Sequence, residues 1–167
     1  MNSTSLVFFC DGASSLQRAE QELRRYKFNV RSYGDSLVVA GPGSQDFRIT
    51  LAQQPHVLKE AQEIGRGTEY EQALSRCDAR FEIDIPDLDE ALAEINTLIE
   101  VQGALQDASA GYLFLPWNCK ITEPWIPEGA VNGKRKTLKT TLAHLINRCW
   151  RRWSRLLSEH RYLSISA

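Results

Sequence analysis

From Ser5 to Pro116 the spacing of apolar residues switches repeatedly between two and three-to-four, so the chain must build both strands and helices. Ser5-Leu-Val-Phe-Phe-Cys10 is an unbroken apolar run, which suits a strand inside a sheet with both faces covered. Asp11-Gly12 turns the chain, and Ser14 with Gln17 forms a capping box ahead of Leu16, Ala19, Leu23 and Tyr26. That spacing predicts a helix over about residues 15–27.

Phe28 to Tyr33 and Ser36 to Ala40 flank the turn Gly34-Asp35 as a hairpin. After Gly41-Pro42-Gly43, the residues Phe47, Ile49 and Leu51 share one face of a third strand, so a three-stranded meander is expected. Val57, Ala61 and Ile64 mark a helix that Gly65-Arg66-Gly67 interrupts before Tyr70, Ala73, Leu74 and Cys77 resume the pattern. Phe81, Ile83 and Ile85 alternate with Glu82 and Asp84 until Pro86, the pattern of a half-exposed strand suited to a sheet edge. Asp87 caps the clearest helix, whose stripe runs Leu88, Ala91, Leu92, Ile95, Leu98, Ile99 and Leu105. Gly111-Tyr-Leu-Phe-Leu-Pro116 reads as a last strand. The order β-α-β-β-β-α-β-α-β predicts an α+β fold, a mixed or antiparallel sheet with helices packed on it.

Charge divides the same chain in two. Met1 to Glu128 carries 11 Lys and Arg against 20 Asp and Glu, a net −9, whereas Gly129 to Ala167 carries 9 against 1, a net +8. The expected organisation is an acidic globular domain over residues 1–122, a Pro- and Gly-containing connector over 123–136, and a basic amphipathic helical tail over 137–167. In the tail, Trp150 and Trp153 lie on the apolar stripe while Arg151, Arg152 and Arg155 flank the polar side, making these the docking residues of that helix. The tail suits a protein surface, a second copy of the chain, or an anionic membrane surface. Nucleic acid is disfavoured because the acidic body repels phosphate.

Catalytic chemistry has no recognisable pattern here. Cys10 precedes a turn and a helix, but a cysteine-phosphatase loop needs an Arg six residues on, where Leu16 stands. His56, His144 and His160 sit at no ligand or relay spacing, and no calcium-type loop or paired-cysteine zinc motif is present. Neither metal nor cofactor is expected, and the chain is read as a binding protein rather than an enzyme. Cys10, Cys77, Cys119 and Cys149 are widely spaced and contain no C-x-x-C pair, so reduced and mostly buried thiols are expected. The apolar runs fall far short of a membrane span, and the first residues lack the basic region of a secretory signal, which points to the cytoplasm. The acids Glu69, Glu71, Asp87, Asp89, Glu90 and Glu94 form a candidate docking surface for a basic protein, with Trp117 or Trp125 as an aromatic anchor.

The stretch Asp87-Leu-Asp-Glu-Ala-Leu-Ala-Glu-Ile-Asn-Thr-Leu-Ile-Glu100, then Gly111-Tyr-Leu-Phe-Leu-Pro-Trp-Asn118, together with Phe47-Arg-Ile-Thr-Leu51 leading to Pro55-His-Val57, resembles small bacterial immunity proteins that accompany secreted polymorphic toxins. The resemblance covers about residues 5 to 120. It implies a cytoplasmic protein without catalysis of its own that occludes the active site of a cognate toxin, and the acidic body suits a basic, nuclease-type toxin. The alternative is a peripheral membrane or regulatory adaptor whose basic tail helix meets lipid.

Overall fold

The computed structural model describes residues 2–40 and 45–124. Seven strands form one sheet: β1 (Ser3–Phe9), β2 (Asn29–Ser32), β3 (Ser36–Ala40), β4 (Asp46–Ala52), β5 (Ala79–Ile85), β6 (Tyr112–Leu115) and β7 (Lys120–Thr122). Their order across the sheet is β2-β3-β4-β5-β1-β6-β7, and every neighbouring pair is antiparallel. Helices α1 (Leu16–Arg25), α2 (Pro55–Gly65), α3 (Glu71–Leu74), α4 (Leu88–Ala93) and α5 (Ile95–Ser109) complete the α+β architecture.

Strand pleating sorts the side chains onto two faces. Val7, Phe9, Val39, Phe47, Ile49, Phe81, Ile83 and Ile85 turn to the first face, where Ala19 and Leu23 of α1, Leu88 and Ala91 of α4, and Leu98, Val101 and Leu105 of α5 cover them. Phe9 and Phe81 meet there with ring centroids 4.8 Å apart. Leu6 and Phe8 turn to the second face, against Val57 and Ala61 of α2, Leu74 of α3 and Cys77. The unbroken apolar run of β1 is thereby explained, since this strand sends buried large apolar residues into both clusters, Val7 and Phe9 into the first and Leu6 and Phe8 into the second.

Four details depart from the sequence reading. First, β5 lies in the middle of the sheet, between β4 and β1, and is not an edge strand. Its acidic alternation reports a second face that α2 and α3 cover only in part, not a missing neighbour. Second, the N-cap of α1 is Ser15, whose hydroxyl accepts from Arg18 N at 3.2 Å, while Ser14 is buried and its hydroxyl has no partner among the described residues. Third, the helix expected from Asp87 to Leu105 is two helices joined at Glu94, whose backbone (φ −109°, ψ 46°) leaves the helical region. One such residue swings the axis without disturbing a count of apolar spacings. Fourth, β7 was unanticipated, because Lys120–Thr122 is too short to carry a period.

The tail helix, with Trp150, Trp153, Arg151, Arg152 and Arg155, lies outside the described residues, as does the connector from Trp125 onward. No helix among the described residues is long and apolar enough to cross a membrane.

Candidate functional site

Pro86 ends β5 and Asp87 begins a segment whose charge is one-sided. From Phe81 to Cys119 the chain has eight acids and no Lys, Arg or His. Two of those acids are spent inside the fold: Glu82 takes Arg80 at 2.7 Å, and Asp107 takes Arg25 at 2.9 Å and the Tyr26 hydroxyl at 2.9 Å. Asp89, Glu90 and Glu94 are exposed and form no ion pair with Lys or Arg among the described residues.

Local structure fixes where these carboxylates stand. The Asp87 carboxylate accepts from Asp89 N at 3.0 Å and from Glu90 N at 3.4 Å, the N-cap arrangement of α4. The same backbone hydrogen bonds, from Glu90 and then Asp89, hold its pKa below the usual carboxylate value. Gln45, just before β4, grips the Asp87 backbone on both sides: its side-chain oxygen accepts from Asp87 N at 2.7 Å and its amide donates to Asp87 O at 2.5 Å. Asp89 and Glu90 therefore project from the first turn of a helix tied to the sheet, where carboxylates also complement the helix dipole.

The six acids singled out from the sequence do not form one surface. Asp87, Asp89, Glu90 and Glu94 come together on α4 and its caps, which pack over the first face through Leu88 and Ala91. Glu69 and Glu71 belong to the α3 turn on the second face, where Leu74 is buried. Glu71 is partly committed there, accepting from Gly67 N at 2.9 Å. Trp117 lies in the β6–β7 turn, half-buried against the first cluster rather than free as an anchor. Trp125 lies outside the described residues.

A second feature escaped sequence reasoning. An open cleft of about 310 Å³ lies at the end of the sheet where β1 leaves and β5 and β6 begin. Phe9, Cys10, Ala13, Ala73, Arg76, Cys77, Ser109, Ala110 and Tyr112 line it. Contrary to the expectation of mostly buried thiols, Cys10 and Cys119 are exposed and Cys77 alone of the described three is buried. Cys10 and Cys77 stand far apart in sequence, and only the antiparallel register, with Phe9 opposite Ala79, brings them together. No carboxylate lines the cleft, and His56 lies elsewhere, exposed in the first turn of α2. Among the described residues no three His, Cys, Asp or Glu side chains gather as metal ligands.

No protein-family model matches the chain, and no curated protein matches its sequence.

Proposed function

We propose that this chain is a non-catalytic docking protein of the immunity type, and that the α4 edge is the surface it offers to a basic partner, a cognate protein toxin. The supporting observation is the cluster of Asp89, Glu90 and Glu94, exposed and in no ion pair with Lys or Arg among the described residues, on a helix pinned to the sheet by Gln45 and capped by Asp87. Fixed carboxylates of one sign steer a cationic surface toward them and reject anionic competitors; they contribute more to association rate and partner choice than to affinity. A toxin that binds nucleic acid must carry such a cationic surface at its active site, so occlusion and electrostatic attraction would coincide there.

The test is a triple reversal, Asp89→Lys, Glu90→Lys and Glu94→Lys, in the full chain, with the toxin partner recovered from the host at low salt. The association rate should fall by about tenfold or more, and its dependence on salt should flatten. A reversal of Glu69 and Glu71 reports separately on the second face. If neither reversal alters the association rate, the electrostatic docking reading is wrong.

A further inference from the structure

Cys10 and Cys77 meet at the cleft with different access to solvent. Cys10 is exposed at the start of the β1–α1 turn, and Cys77 is 2 % exposed among the residues of the second cluster. Both residues line the same cleft, and the Cys77 thiol donates to the Ala73 carbonyl at 3.5 Å. Both loops are held in place. Asp11 N donates to the Asp78 carboxylate at 2.6 Å, tying the residue after Cys10 to the residue after Cys77. The turn on the Cys10 side is closed by Ala13 N donating to Cys10 O at 3.0 Å, with Gly12 at φ 76° supplying the left-handed conformation. Arg76 lines the same cleft, is exposed, and has no carboxylate partner among the described residues.

We propose that Cys10 and Cys77 are a redox-active dithiol, and that the cleft admits small anionic disulfides, drawn by Arg76, which oxidise the pair to an intramolecular disulfide. The exposed Cys10, as thiolate, attacks one sulfur of the incoming disulfide. That S–S bond breaks, one thiolate leaves and takes a proton from solvent, and a mixed disulfide remains on Cys10. Cys77 then releases its proton to solvent and attacks the Cys10 sulfur, forming the Cys10–Cys77 bond and expelling the second thiolate, which is protonated in turn. The protein loses two electrons and two protons, and the incoming disulfide becomes two thiols. Burial, then the neighbouring Cys10 and Asp78, hold the Cys77 pKa at about 12, against the lowering effect of Arg76. Cys77 therefore resolves rather than initiates, since the thiolate is the nucleophile.

The experiment exposes the reduced full-length chain to oxidised glutathione, followed by non-reducing peptide mapping by mass spectrometry. The expected product links the Cys10 and Cys77 peptides with a loss of about 2 Da, and Cys77→Ala halts at glutathione on Cys10. A Cys10–Cys77 link is read on the wild-type chain, so a poorly folding variant does not decide the matter. Stable glutathione on wild-type Cys10, a link to Cys119 or Cys149, or four free thiols would each overturn the dithiol. For the anionic class, Arg76→Glu should slow the initial reaction of Cys10 with oxidised glutathione by about fivefold and speed that with cationic cystamine. Equal changes with both reagents would overturn the role given to Arg76.

Discussion

An added Cβ at Gly111 would stand 2.7 Å from Val7 Cγ1 and 2.8 Å from the Phe8 carbonyl oxygen. Those atoms belong to β1 at the centre of the sheet, so they cannot move aside as the tip of a long side chain would. Gly111→Ala should lower stability by about 1–3 kcal/mol, read as a lower urea midpoint with an unchanged slope. Arg80 shows the converse case, a large polar residue that the interior requires. It is 8 % exposed, lies over the Phe8 ring at 5.6 Å, and holds Glu60 at 2.5 Å and Glu82 at 2.7 Å. Through Glu60 it clamps α2 onto the second face. Arg80→Ala should cost about 2–3 kcal/mol in chemical denaturation, toward the low end for a broken buried pair because both glutamates keep contact with water. Sequence alternation puts Arg80 opposite Phe81 in face, but that it lies buried beneath α2 depends on which helix arrives there.

At the scale of elements, α4 is the informative case. Six residues make a helix that would not persist alone. Asp87 supplies its cap, Gln45 ties that capping residue to the start of β4, and Leu88 and Ala91 anchor the helix on the first cluster. Removing the Gln45 side chain deletes two hydrogen bonds that join segments 42 residues apart. Gln45→Ala should therefore lower stability by about 1–2 kcal/mol and speed amide exchange in α4 before it does so in α5. The cap at Asp87 was legible in the sequence because capping is local, a carboxylate followed by free backbone amides. The Gln45 clamp was not legible, because a glutamine in a loop carries no trace of a partner so far along the chain. The candidate docking surface divides in the same way. Asp87, Asp89, Glu90 and Glu94 are neighbours on one short helix and stay together, whereas Glu69 and Glu71, equally acidic, are taken to the opposite face by the path of α2 and α3.

At the scale of the molecule, two titrating groups report on the two faces. Cys77 belongs to the second cluster and its pKa is pushed up to about 12 by burial. Tyr26 packs on the first cluster; burial first, then its hydrogen bond to Asp107, raises its pKa well above the ordinary phenol value. For both groups the folded pKa exceeds the unfolded one, so in alkali the folded chain keeps protons that the unfolded chain releases. Their stabilising effect is complete below the unfolded values and is lost as pH rises. Stability should fall from about pH 9 on account of Cys77, by at most about 1.4 kcal/mol per pH unit, and more steeply above about pH 10, where Tyr26 joins. Denaturant midpoints between pH 8 and 11, repeated for Cys77→Ala and Tyr26→Phe, check this. If the faces unfold as one unit, each substitution flattens the dependence of the whole transition.

What the sequence alone determined is whatever short-range physics encodes. The strand and helix periods, the cap at Asp87, the breaks at Gly34 and at Gly65 to Gly67, and the core-facing sides of β4 and β5 follow from contacts within a few residues of one another. Tertiary structure decided which strands are neighbours. It put β5 beside β1, made an acidic alternating strand central, separated Glu71 from Glu90, and set Cys10 against Cys77. Alternation specifies a strand's two faces but says nothing of its hydrogen-bonding edges, and those edges are filled by the long-range register that buries both apolar faces at once.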